Sequence, residues 1–238
     1  MSRRGLRSSA NVSRASVSPG SSQQRQCEQG ETPAYKRCLN LQTPAASKIK
    51  HMAIRYKHSD EYSTYFCTFT CCGWKNLFEI TNTYSAVYNW FKVLKDTHNA
   101  DVLAFVIMPN HMHCIINFKD TGFNLNKIIG NGKRFTAYEI VKQLKENKQT
   151  DLLAELSEAL TDRERKKGQL HKVFKDSFDA KAIFSDKFMT QKLDYIHHNP
   201  VSGKWNLVAD FTNYEHSSAS FYETGQVKHF APLHYMSV

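Results

Sequence analysis

The chain has 238 residues, with 32 Lys plus Arg against 22 Asp plus Glu and a formal charge of +10. That length suits one compact domain with extensions. Its 41% hydrophobic and 12% aromatic residues supply a real core, which excludes wholesale disorder. No apolar run reaches the roughly 18 residues that span a bilayer, and the first residues lack the apolar centre of a secretory signal. The six cysteines show no C-x-x-C spacing of a zinc site. The expectation is a cytoplasmic protein with no membrane partner and with reduced, mostly buried cysteines.

Residues 1–50 hold nine Lys/Arg and two acids, a net of +7, whereas residues 51–238 carry a net of +3. The excess charge therefore sits in a Ser-, Gln- and Arg-rich stretch without hydrophobic period, read as a disordered basic extension over 1–51. Met52 stands where the composition changes, so an over-long start is the preferred explanation, ahead of a transit peptide. From residue 64 the pattern becomes globular. Thr64-Tyr65-Phe66-Cys67-Thr68-Phe69-Thr70 predicts a strand buried on both faces. Residues 83–98 predict a helix whose Tyr84, Val87, Tyr88, Phe91 and Leu94 form one stripe. Residues 102–108 and 111–118 predict strands joined by a tight turn at Pro109 and Asn110. A helix follows over 125–146, with Gly130 and Gly132 as weak points. This order is most of a split β-α-β unit, an α+β fold with an antiparallel sheet and two helices on one face. Residues 147–170 read as an insertion, with an apolar helix stripe of Leu152, Leu153, Leu156 and Leu160 and a charged segment over 163–167 closed by Gly168. A fourth strand is expected within 173–184. Ser185 predicts the N-cap of a helix over 186–198 that Pro200 ends. Residues 201–238 show no clear period. The expected domain spans 52–222, and 223–238 are read as a C-terminal tail.

Two constellations carry chemistry. In Pro109-Asn110-His111-Met112-His113-Cys114, residues i and i+2 of a strand share a face. His111 and His113 then present two imidazoles side by side, with Met112 and Cys114 turned to the core. Such a pair can share a divalent metal or bind two oxygens of one phosphate. The rival is two polar residues on the wet face of a half-exposed sheet. In the helix over 186–198, Met189, Leu193 and Ile196 make the buried stripe, and Gln191, Tyr195 and Asn199 stand together on a neighbouring face. A helical tyrosine is usually half-buried packing. This one lies on a polar face that ends in His197-His198-Asn199-Pro200, with Asn199 at or just past the helix end.

Together, Met108-Pro109-Asn110-His111-Met112-His113 and Leu193-Asp194-Tyr195-Ile196-His197-His198-Asn199-Pro200-Val201 resemble the motif pair of the REP-associated tyrosine transposases. These belong to the single-tyrosine HUH transposases, named for a His-hydrophobic-His motif. The resemblance covers residues 52–222, and Phe211-Thr212-Asn213-Tyr214-Glu215-His216-Ser217-Ser218-Ala219 is similar to the Ser-Ser segment that follows the tyrosine helix in that family. It implies a ferredoxin-like (RRM-like) palm with the histidine pair on a central strand and the tyrosine on a following helix. It implies that His111 and His113, completed by Asn199, hold Mg²⁺ or Mn²⁺, which polarises a scissile phosphate. Tyr195 would attack phosphorus and form a 5′-phosphotyrosine link that a second hydroxyl can reverse. Free tyrosine has a pKa near about 10 and needs activation. His197, His198 and Gln191 are candidates to assist, with helix-end polar packing as the rival for the histidines. The expected partner is single-stranded DNA with a hairpin, the protein being a monomer or homodimer near the nucleoid of a prokaryote. On the second helix Lys127, Lys133, Arg134, Lys142 and Lys145 are candidates for phosphate contacts, against the rival of a solvated basic face.

Other classes remain in view. A non-catalytic or domesticated single-stranded nucleic-acid-binding protein would share this fold. The Lys/Arg-Gly-Phe run of an RNA-recognition module is absent from the third strand, however. A histidine-triad hydrolase needs a third His where position 115 is Ile.

Overall fold

The structure, a computed structural model, describes residues 62–238. The extension expected over 1–51, the start at Met52, and Cys27 and Cys38 lie outside the described residues. Four strands form one sheet: β1 (Thr64–Thr70), β2 (Ala100–Met108), β3 (His111–Phe118) and β4 (Asp179–Ala182). Their order is β2-β3-β1-β4, and every neighbouring pair is antiparallel. Helix α1 (Leu77–Thr81) and the long α2 (Tyr84–His98) connect β1 to β2. Helix α3 (Leu125–Glu146), the short α4 (Thr150–Glu158) and α5 (Asp162–Lys166) connect β3 to β4, and α6 (Asp186–His198) and α7 (Ala219–Thr224) follow. This is the α+β, ferredoxin-like arrangement that the sequence order predicts.

The pleat divides the core into two layers. Tyr65, Cys67 and Phe69 of β1, with Met112, Cys114 and Ile116 of β3, face the apolar stripes of α2 and α3. Phe66 of β1 and Ile115 of β3 face the other way, toward Met189, Leu193 and Ile196 of α6. An irregularity in the β2–β3 register between Val102 and Ala104 inserts Leu103, which puts the adjacent Leu103 and Ala104 together in the α6 layer. The three α6 side chains are buried, each contributing about 1.5–3 kcal/mol, so the helix is seated firmly under one face of the sheet. Its start is set as predicted, with the Ser185 hydroxyl accepting from Phe188 N–H at 3.3 Å.

Gly132 is a close-approach position. A Cβ built there would lie 2.4 Å from Cε2 of Trp90, so its hydrogen lets α3 settle on α2. The insertion carries two short helices, α4 and α5, joined by turns. Leu156 and Leu160 are buried, and the charged segment is α5, started by a capping box between Thr161 and Glu164. Residues 201–238, without period in sequence, close the open edge of β2. Ile107 N–H donates to the His216 carbonyl at 2.8 Å, Ser218 N–H to Phe105 at 3.0 Å, and Leu233 N–H to Val102 at 3.0 Å. Phe230 packs on Phe91 and Phe105. Residues 223–238, expected as a tail, thus contribute to the sheet edge and core.

Candidate active site

The antiparallel register pairs His111 with Thr70 and His113 with Thr68 on the central β1–β3 ladder. Both imidazoles point to the α6 face, with ring centres 4.9 Å apart. They are 6% and 5% exposed, which removes the reading of polar residues on a wet sheet face. Met112 and Cys114 point into the opposite layer, as the alternation predicts.

Each ring is held by a hydrogen bond at Nδ1. Asn110, in the β2–β3 turn, donates from Nδ2 to the Trp74 carbonyl at 3.0 Å, so its Oδ1 is the atom that meets His111 Nδ1 at 2.7 Å. An amide oxygen only accepts, so His111 Nδ1 carries the proton and Nε2 keeps its lone pair. His113 Nδ1 meets the Thr68 hydroxyl at 2.6 Å, and donation to that oxygen leaves its Nε2 free in the same way. Burial pushes His111 down to about 4, with the Asn199 amide opposing in part. Burial likewise holds His113 well below its ordinary range, with the neighbouring His111 adding to the effect. Both rings are therefore neutral near pH 7, the state in which imidazole binds a metal.

Helix α6 brings the second constellation to this pair. The Tyr195 ring lies 5.0 Å from that of His113 and 6.0 Å from Phe66, with 47% of the residue exposed. The Lys192 ammonium sits 5.3 Å from the centre of the Tyr195 ring and 4.6 Å from that of Phe66. Asn199 caps the helix and is buried. Its Oδ1 and the Nε2 of His113 are buried without hydrogen-bond partners among the described residues. An unmet buried polar atom costs about 1–3 kcal/mol, so two of them at one site call for a ligand that the described residues do not supply. No group of three or more His, Cys, Asp or Glu is placed to hold a metal among the described residues. The donor set is instead two imidazoles and one amide oxygen, which suits a divalent ion that also takes oxygen from substrate or water.

The other predicted residues divide. His197 is buried, its Nε2 3.0 Å from the Ser218 hydroxyl, and it ties α6 to the strand-edge segment. His198 turns to Asp194 at 3.0 Å and packs its ring at a tilt against Phe211. Gln191 is exposed one turn before Tyr195. Lys127, Arg134, Lys142 and Lys145 are exposed on α3. Lys133 is corrected from phosphate contact to structural clamp. Its ammonium donates to the carbonyls of Lys175 at 2.5 Å and Asp176 at 3.2 Å, and burial pushes it down to about 8. Sequence reasoning missed Thr68, Lys192, Trp74 and Trp205 as site residues. The rings of both tryptophans lie 6.0 Å from that of His111. Only the β1–β3 register reveals Thr68, whereas Lys192 is readable in sequence as one turn before Tyr195.

Residues 49–156 match the family model described as Transposase IS200 like. Among solved structures the chain is similar to a REP-associated tyrosine transposase bound to a REP hairpin. The identity is 21%, over 75% of this chain and 90% of that one, with a TM-score of 0.45. It is also similar to a protein described as a transposase from Deinococcus radiodurans R1, at 12% identity over 57% of this chain and 88% of that one, with a TM-score of 0.35. No curated protein matches the chain. No helix among the described residues is long and apolar enough to cross a membrane.

Proposed function

We propose that this chain, which matches the IS200-like transposase family model over residues 49–156, cuts and rejoins single-stranded DNA with Tyr195 as nucleophile. The observation that carries the reading is the meeting of the two sequence motifs. Tyr195 stands beside His113, and two unmet buried ligand atoms, His113 Nε2 and Asn199 Oδ1, belong to the same cluster.

The Tyr195 oxygen attacks the scissile phosphorus. The bond from phosphorus to the 3′-oxygen breaks, that oxygen leaves as a 3′-hydroxyl with a proton, and the phosphate remains joined to the tyrosine and to the 5′ end of the next strand. Because the phosphoester bond is conserved, another 3′-hydroxyl can attack the phosphotyrosine and restore a continuous strand. Exposure of Tyr195 leaves its hydroxyl open to solvent and substrate, and the Lys192 ammonium lies against its ring. His111 and His113 through Nε2, and Asn199 through Oδ1, would hold Mg²⁺ or Mn²⁺, which supplies polarisation of the phosphate and stabilisation of developing charge. Asn110 keeps the His111 ring in the ligating tautomer, and Thr68 holds the His113 ring at Nδ1 with Nε2 toward the site. The motif resemblance makes a hairpin-flanked repeat the proposed target.

The test is a denaturing gel of labelled hairpin DNA with a single-stranded flank, followed by peptide mapping. The expected result is a covalent adduct mapped to Tyr195, lost in EDTA and in Tyr195→Phe while hairpin binding persists. No hydrogen bond of the hydroxyl is lost within the described residues, so the Phe variant should melt within about 0.5 kcal/mol of the parent. Adduct at another tyrosine refutes Tyr195 as the nucleophile, and none at all with binding intact refutes the enzyme reading and leaves a binding protein.

A further inference from the structure

A groove of about 1650 Å³ runs between α3 and residues 167–179, on the α3 side of the sheet. It is not the cluster around Tyr195. Lys127, Arg134, Tyr138, Lys142 and Lys145 fall at helical spacings of 7, 4, 4 and 3, which places them on one stripe. All five line the groove and are exposed, with Tyr138 at 63%. The facing wall, built partly from the end of the 147–170 insertion, adds Lys167 and Lys175 against Asp176 and Asp179. Lys133 pins this wall to α3 through the carbonyls of residues 175 and 176. A row of cations interleaved with an exposed aromatic is what a single strand needs: ammonium groups for phosphates and a ring for a base. From Lys127 to Lys145 the helix advances about 27 Å, room for about eight phosphates at the 3.4 Å spacing of a stacked strand.

The groove reaches the candidate active site through two side chains. The ammonium of Lys175, one of its walls, lies 4.2 Å from the centre of the Trp74 ring. Trp74 is 53% exposed and its ring lies 6.0 Å from that of His111. Its backbone is left-handed at φ 58, a conformation that costs a bulky residue of the order of 1–3 kcal/mol. The Asn110 amide holds the Trp74 carbonyl there. A large ring kept exposed at that cost, beside the histidine pair, is placed to stack on something.

We infer that this groove is the track for the single-stranded flank of the DNA, with phosphates along the α3 stripe, a base on Tyr138, and a base on Trp74 next to the scissile phosphate. The inference rests on the proposed function for the identity of its ligand, but its test reads equilibrium binding and needs no cleavage. The protein is the full chain carrying Tyr195→Phe, and the probes are a hairpin oligonucleotide with an eight-nucleotide flank and the same hairpin blunt. Replacing Lys127, Lys142 and Lys145 together by Gln should lower the slope of log Kd against log salt by about 2 on the flanked probe, at about 0.7 per phosphate contact. The blunt hairpin should bind as before. An unchanged slope, or an equal loss on the blunt hairpin, overturns the assignment, the second result placing duplex in the groove. Trp74→Ala should weaken the flanked probe about 5- to 150-fold, and the loss should vanish when the base next to the scissile phosphate is abasic. An equal loss on the abasic strand removes Trp74 from the track. A wild-type chain that forms no Tyr195 adduct refutes the enzyme reading alone and leaves these binding results legible.

Discussion

Replacing Asn110 by alanine tests the tautomer argument directly. Its side chain is 2% exposed and makes two hydrogen bonds, to the Trp74 carbonyl and to His111 Nδ1. The turn itself is held by the backbone, since Cys71 N–H donates to the Asn110 carbonyl at 2.8 Å and Phe78 N–H to that of Pro109 at 3.0 Å. Asn110→Ala should therefore leave the turn in place and strip only the amide. The stranded His111 N–H costs about 1–3 kcal/mol, and the lost bond to Trp74 about 0.5–1.5 kcal/mol. A loss of about 2–4 kcal/mol corresponds to roughly 5–15 °C in melting temperature for a domain of this size. The freed ring can move its proton to Nε2, the ligating atom, and outer contacts of this kind are worth about 10- to 100-fold in metal affinity. Calorimetric titration with Mn²⁺ reads that loss, and nitrogen chemical shifts of the imidazole read the tautomer. Asn110→Asp separates the two bonds, because a carboxylate still accepts from His111 but has no proton for Trp74. It should keep metal affinity within a few-fold while losing stability. A folded Ala variant that binds Mn²⁺ as tightly as the parent refutes the reasoning.

Two further outcomes follow from packing and burial. Gly132→Ala forces a methyl into Trp90 and should destabilise by about 1–2 kcal/mol net of the helix-propensity gain. Gly130→Ala meets nothing within 4 Å and should stabilise by up to about 1 kcal/mol; equal melting shifts for the pair would refute the close contact. His216 stacks on Tyr84 with ring centres 3.5 Å apart, and burial pushes its pKa from 6.5 down to about 4. The folded protein thus disfavours the proton that the unfolded chain accepts, so this contribution is complete above pH 6.5 and is lost as pH falls toward 4. Partial exposure of His216 reduces it to the order of 1 kcal/mol. His216→Phe keeps a ring on Tyr84, so its melting temperature should fall less between pH 7 and pH 5 than the parent's; parallel curves would remove His216 from the acid response.

The elements legible in sequence are those that carry their own period. β1, α2, β2, β3, α3 and α6 each bury a repeating apolar set, and Ser185 and Pro200 bracket α6 by local chemistry alone. What stayed hidden depends on what lands against what. β4 falls within the 173–184 stretch where a strand is expected, but its four residues of alternating partial exposure are too short and too wet to fix its bounds. Residues 201–238 are ordered by backbone bonds to β2 and by aromatic contacts with α2, neither of which leaves a periodic trace. Helix α5 was readable, because Thr161 and Glu164 stand at capping-box spacing, but its charge obscured it. The candidate site shows the same division. The spacing of His111 and His113 gives their common face, yet only the packing of α6, Trp74 and Trp205 against that face buries them, and burial holds them neutral, well below the usual histidine range. Charge is the least legible property of all. Lys127, Lys133 and Lys142 share one helix and one residue type. Lys133 alone turns beneath the facing wall and spends its donors on carbonyls, while the other two stay exposed to solvent. A lysine's sequence position therefore sets which groove it borders, and only the wall opposite decides whether its ammonium is free for a phosphate.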